Sequence, residues 1–198
     1  MMNKVLLIDF DDSFTYNLVG LLESLNIKVI VKHWTQVSHK LIDEYDNFIL
    51  GPGPGHPNDY ALLNPLMPLL VEKKVIGICL GHQILGIFLG LKLRRLESPL
   101  HGKSLPLSEL GKEIVGNKIY AQFYNSWSLT SDIGSRVSGD AIYSYMDMIY
   151  YFQHFNWQGV QFHPESVGTT CPRPIMEWLI KNMYNVNYEK LPSHLWDL

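Results

Sequence analysis

Four short apolar runs, KVLLID (4–9), IKVIVKH (27–33), DNFIL (46–50) and VIGIC (75–79), constrain this chain more than any other feature. A strand with one face in water alternates apolar and polar residues, whereas a strand covered on both faces is apolar nearly throughout, and these runs follow the second pattern. The segments between them are long enough for crossover helices or irregular connections. The first, DDSFTYNLVGLLESL, sets Phe14, Leu18, Leu21, Leu22 and Leu25 at helical spacing, with Asp11, Asp12 and Ser13 as its cap. YALLNPLMPLLVEKK reads as helical too, although Pro65 and Pro68 would break or restart a helix. From about residue 92 the pattern turns to short alternating or aromatic-rich runs, read as a meander of strands continuing or flanking the sheet. RPIMEWLIKNMYNV predicts a last helix, with Pro174 near its first turn and Ile175, Met176, Leu179, Ile180 and Met183 on one face. The expected fold is α/β: a mostly parallel central sheet with flanking helices plus additional short antiparallel strands. No internal repeat or linker divides it, so one domain is expected over residues 1–187, followed by a tail at 188–198.

A chain of 198 residues with 46% hydrophobic and 18% charged residues has a globular balance. Its net charge of -3 gives no electrostatic reason to expect nucleic acid or an anionic membrane surface as a partner. The opening MMNKVLLIDFDDS reads as a first strand, neither a secretory signal nor a membrane span. Two cysteines, Cys79 and Cys171, are too few for a disulfide framework and suit a reducing, cytoplasmic setting. The eight histidines include no zinc-finger or H-E-x-x-H spacing, and no C-x-x-C occurs to join them, so no structural metal is expected.

The chemistry concentrates at GICLGHQILG (77–86), where Cys79 sits between Gly77 and Gly81 at the end of a strand and the start of a helical pattern. G-x-C-x-G is the thiol counterpart of the G-x-S-x-G elbow, in which small residues two places either side let the chain double back. The helix N-terminus beyond it favours a thiolate, and the N–H of Leu80 points toward the space where an oxyanion would form. The plainer alternative is a core cysteine at a tight turn, because free cysteine often serves as a small buried hydrophobe. A base is available in GVQFHPES: Pro164 steers His163 out of the helical region, and period-2 geometry then turns His163 and Glu165 to the same side. That gives nucleophile, base and orienter. LGPGPGHP (50–57) follows a buried strand, where glycine amides can approach a ligand beyond the strand's carboxyl end and Gly53 can offer a second oxyanion donor.

Taken in order, IDFDDSFTYNL, GPGPGHP, GICLGHQILG, HGKS and GVQFHPES resemble the triad-type (class I) glutamine amidotransferases over about residues 3 to 185. Within them the likeness is to the small glutaminase subunits of anthranilate and aminodeoxychorismate synthases. The resemblance implies that fold, and a nucleophile at Cys79, a base at His163 and its orienter at Glu165. It implies L-glutamine as substrate, contacted from Gly53, Pro54, Gly55, Gln83 and the Ser126–Trp127 backbone, with Gly53 and Leu80 as oxyanion donors. It implies a partner, the larger chorismate-binding subunit, and no cofactor. Departures fall at Asn125 and Trp127, where the family commonly has His and Leu, at Gly51, and at Gln153. His56 and His101 are assigned to structure or partner contact. Two rival functions share the features: another Cys-His α/β hydrolase, a γ-glutamyl hydrolase or peptidase, and a non-catalytic regulatory subunit retaining the fold.

Overall fold

The computed structural model describes residues 4–130 and 141–184; the boundary expected at 187 and the tail at 188–198 lie outside the described residues. In chain order the elements are β1 (Lys4–Asp9), α1 (Thr15–Ser24), β2 (Lys28–His33), α2 (His39–Asp43), β3 (Asn47–Leu50), β4 (Lys74–Ile78) and α3 (Leu80–Phe88). They continue with β5 (Lys92–Leu107), α4 (Ser108–Val115), β6 (Ile119–Thr130), β7 (Ala141–Tyr145), β8 (Met148–His154), β9 (Trp157–Val160) and α5 (Pro172–Asn182). Seven strands form one sheet in the order β2-β1-β3-β4-β9-β8-β7, parallel from β2 to β9 and antiparallel through β8 and β7. β5 and β6 pair apart from it as an antiparallel ribbon. The expected fold class is therefore the observed one.

Burial explains the apolar runs. In β1, Val5 and Leu7 join the core that holds Leu18 of α1 and Ile175 and Leu179 of α5. Leu6 and Ile8 alternate with them into the opposite core, with Ile42 of α2 and Leu85 of α3. Val5 to Ile8 are thus withdrawn from water on both faces, each large side chain contributing about 1.5–3 kcal/mol. The same holds for Phe48 to Leu50 of β3 and Val75 to Ile78 of β4, whereas β2, expected to be covered alike, is a half-buried edge strand. The aromatic excess near the end is core as well: Tyr150, Tyr151, Phe152 and Trp157 are all buried. No described helix is long and apolar enough to cross a membrane.

Three local expectations change. The stretch Pro57–Leu70 is a 3-10 run kinked at Tyr60, and Pro65 and Pro68, which lack ladder donors, keep it from forming one regular α-helix. The meander expected after residue 92 is interrupted by α4, whose Leu110 is fully buried and whose end is capped by left-handed Gly116. The cap of α1 is displaced: Asp12 accepts from the Phe14 N–H at 2.7 Å while Asp9 takes the Thr15 hydroxyl at 2.7 Å, and Asp11 turns to His33.

The two halves of the sheet are clamped through His82 on α3, whose Nε2 lies 3.0 Å from the Ile149 carbonyl of β8. Burial pushes this imidazole down to about 3, so the folded chain refuses a proton that the unfolded chain takes up below about pH 6.5. The unfolded state then binds more protons between those two values, and stability falls as pH falls through that window. Urea unfolding of wild type and His82→Gln between pH 6.5 and 4.5 should show a shallower pH slope in the variant, by up to about 1.4 kcal/mol per pH unit.

Candidate active site

Strand β4 ends at Ile78, α3 starts at Leu80, and the single residue between them carries the reversal: Cys79 has φ 53° and ψ -99°. Few side chains adopt that region, and it costs about 1–3 kcal/mol. Close packing enforces it. A Cβ at Gly77 would meet the Gly81 carbonyl at 2.6 Å, and one at Gly81 would overlap the Leu50 backbone. The Cys79 N–H bonds to Val160 O at 2.9 Å, and Gly81 N–H to Gly51 O at 3.1 Å, so β9 and the turn after β3 hold the elbow from two sides. As the first residue of α3, Leu80 has an N–H without an intrahelical partner.

Gly53 packs against that same residue; a Cβ there would overlap the Leu80 side chain and sit 2.5 Å from Phe10 Cβ. The ends of β1, β3 and β4 thus converge where the strand order switches direction, the usual ligand position in an open α/β sheet. There a cleft of about 570 Å³ opens, lined by Gly53, Pro54, Gly55, Cys79, Leu80, Gln83, Ser126 and Trp127. All the substrate-side residues expected from sequence line it together.

His163 and Glu165 lie against the same elbow. Nδ1 of His163 donates to Glu165 Oε1 at 2.7 Å, with both side chains almost wholly buried. Nε2 is buried without a hydrogen bond of regular geometry, yet the imidazole interacts with the Cys79 thiol. Burial alone would lower the His163 pKa; the Cys79 charge and hydrogen bond, then Glu165, outweigh it and hold the pKa well above 6.5. Contact without alignment is common before a substrate tightens a site. Phe14 and Tyr124 enclose the ring, each 5.1 Å away between centroids.

Gln122 of β6 fastens this segment: its carbonyl accepts from His163 N–H at 2.9 Å. Its Oε1 accepts from Ser166 Oγ and from Gly168 N–H, while Nε2 donates to Gly102 O at 3.3 Å. Beside the sulfur, Gln161 Nε2 lies 3.6 Å from Cys79 Sγ. Neither glutamine was singled out by the sequence, since an amide carries no spacing signal and its partners lie far away along the chain. Arg95, His101, Asp59 and Tyr124 also line the cleft, as does His56, which caps the 3-10 run through Asn58 N–H and meets Trp127 edge-on at 4.7 Å. Asn125 is buried and bonds the Trp127 carbonyl at 3.0 Å. Cys171 is free, at the start of α5. No three His, Cys, Asp or Glu side chains among the described residues converge as a metal site requires.

The model of the family described as "Glutamine amidotransferase class-I" matches residues 6–182. Anthranilate synthase component 2 of Cyanophora paradoxa is 33% identical over 87% of this chain and 96% of that one. Aminodeoxychorismate/anthranilate synthase component 2 of Bacillus subtilis is 29% identical over 89% and 95%. Among solved structures, a glutamine amidotransferase of Thermotoga maritima superposes with a TM-score of 0.62, covering 91% of this chain and 82% of that one at 17% identity.

Two outcomes follow from the geometry. Glycine relieves the strain at position 79, so Cys79→Gly should be about 1 kcal/mol more stable than Cys79→Ala in urea unfolding. His163 binds its proton more tightly folded than unfolded, so its stabilisation is complete below about pH 6.5 and is lost as pH rises through the elevated folded value. Glu165→Gln removes part of that elevation; unfolding free energies of variant and wild type should therefore converge as pH rises above about 6.5.

Proposed function

The chain belongs to the class-I glutamine amidotransferase family, and from that premise we propose that it hydrolyses L-glutamine at Cys79 and delivers the ammonia to a larger, chorismate-binding synthase subunit. The supporting observation is the buried 2.7 Å bond from His163 Nδ1 to Glu165, which leaves Nε2 as the imidazole atom for the thiol at the α3 N-terminus.

In this reading the Cys79 thiolate attacks the side-chain amide carbon of glutamine, and its C–S bond forms as the C=O electrons move to oxygen. The N–H groups of Gly53 and Leu80 receive that oxyanion, a role suited to fixed donors at a buried elbow. His163, protonated and oriented by Glu165, gives its proton to the departing nitrogen as the C–N bond breaks, releasing ammonia. Neutral imidazole then takes a proton from water, whose oxygen attacks the thioester; collapse releases glutamate and returns the thiolate and imidazolium pair. Pro54, Gly55, Gln83, Ser126 and Trp127 position the amino-acid end of the substrate. Asn125 lines the cleft while its Nδ2 donates to the Trp127 carbonyl, which supports a role for it in fixing that backbone beside the substrate.

The partner reading draws on relatives named as the second component of anthranilate or aminodeoxychorismate synthase. We place this activity in the cytoplasm, where reducing conditions keep a working thiol free. Ammonia release from L-glutamine, measured with the chain joined to an anthranilate or aminodeoxychorismate synthase large subunit, tests the proposal. Cys79→Ser should lower turnover by at least roughly 10³-fold. Unchanged turnover in that variant, or peptide hydrolysis without ammonia release from glutamine, would overturn it.

A further inference from the structure

One buried side chain touches the Cys79 sulfur yet has no part in the scheme above. Gln161, the residue after β9, is 0% exposed, and its amide reaches Sγ at 3.6 Å. Its effect depends on which amide atom faces the sulfur: an NH2 group donates to it, whereas a carbonyl oxygen would repel an anion there.

The surrounding bonds decide the orientation. The main-chain carbonyl of Trp127 can only accept, and it receives Gln83 Nε2 at 2.8 Å and Asn125 Nδ2 at 3.0 Å. Gln83 therefore turns its NH2 group inward, and that group's second proton goes to Gln161 Oε1 at 3.0 Å. With its oxygen so occupied, Gln161 has only its NH2 group left for Cys79. The polarity of one backbone carbonyl on β6 passes through a side chain of α3 and reaches the sulfur as a donated hydrogen bond.

We propose that Gln161 is a further catalytic residue, whose amide N–H donates to the Cys79 sulfur and favours its anionic form before glutamine arrives. The inference rests on the reading of Cys79 as nucleophile. A donor that hydrogen-bonds the charged form stabilises it, and one already desolvated and fixed by its neighbours needs no reorganisation during attack. The ionisable groups sharing the elbow or cleft are His163 with Glu165 behind it, His56, Asp59, Arg95, His101 and Tyr124. All remain in the variants below, so a changed pH response reports the amide.

The test is the rate of iodoacetamide alkylation at Cys79 against pH, with peptide mapping to separate it from Cys171. Gln161→Met keeps the length and removes the donor; its alkylation midpoint should move about one unit to higher pH, and its rate at pH values below the wild-type midpoint should fall about tenfold. Gln161→Glu, which sets a carboxylate against the sulfur, should move the midpoint further. A Gln161→Met profile that overlays wild type overturns the proposal. A measurement on wild-type protein guards against misfolded variants: with ¹⁵N-glutamine labelling, the Gln161 side-chain resonances should titrate with the alkylation midpoint of Cys79. Resonances that ignore that midpoint also overturn it. Neither readout uses glutamine turnover, so failure here is distinguishable from failure of the glutaminase reading, which Cys79→Ser decides.

Discussion

The backbone reversal at Cys79 is imposed by its surroundings. Its φ of 53° is unfavourable for any residue but glycine, and the thiol makes no helix-capping hydrogen bond that would compensate. Compensation comes from the sheet. The Cys79 N–H completes the parallel ladder with Val160, while Gly77 and Gly81 let helix, strand and the turn after β3 approach more closely than a Cβ would permit. Rigid parallel strands on both sides of β4 thus hold in place what the peptide alone would relax. The same strands bring the residues after β9 to the elbow, so the position of His163 and the strain at Cys79 share one structural cause.

Around that elbow the protein buries polar groups in linked sets. His163 and Glu165 form one; Gln161, Gln83, Asn125 and the Trp127 carbonyl form a second; Gln122 with Ser166, Gly168 and Gly102 forms a third. Leaving a buried amide or imidazole unpaired costs about 1–3 kcal/mol, so each set has few alternative arrangements. β6 contributes to all of these surroundings, through Gln122, Tyr124, Asn125 and Trp127. Period-2 geometry makes its register critical: a slip by one residue would exchange the half-buried Tyr124 with the buried Asn125 and move Gln122 off its carbonyl partner.

The sequence was most legible where one local rule acts. Apolar runs marked β1 to β4, although β2 is a half-buried edge strand and not one covered on both faces; helical spacing marked α1 and α5, and the glycine spacing at 77 and 81 marked the elbow before any contact was known. Pro164 similarly announced that His163 and Glu165 lie on one side of an extended segment. Legibility failed where tertiary context competes with pattern. α4 lies among strong β-formers and is too short to impose its period, while Pro65 and Pro68 withhold two ladder donors from 57–70, which runs as 3-10 turns in place of a regular α-helix. Gln161 and Gln122 lacked any signal, because what an amide does depends on partners such as Cys79, 82 residues distant from Gln161.

That separation bears on the order in which the molecule is made. During synthesis the thiol, its helix and the first four strands of the parallel sheet leave the ribosome well before the imidazole and the amide that face the sulfur. Contacts of such high sequence distance also form late in folding, since a long loop must close first. A nascent or truncated chain lacks both the β9 bond that helps to hold the elbow and the side chains of His163 and Gln161, so under the proposed scheme the thiol is put to work only when the last strand of the parallel set docks against β4.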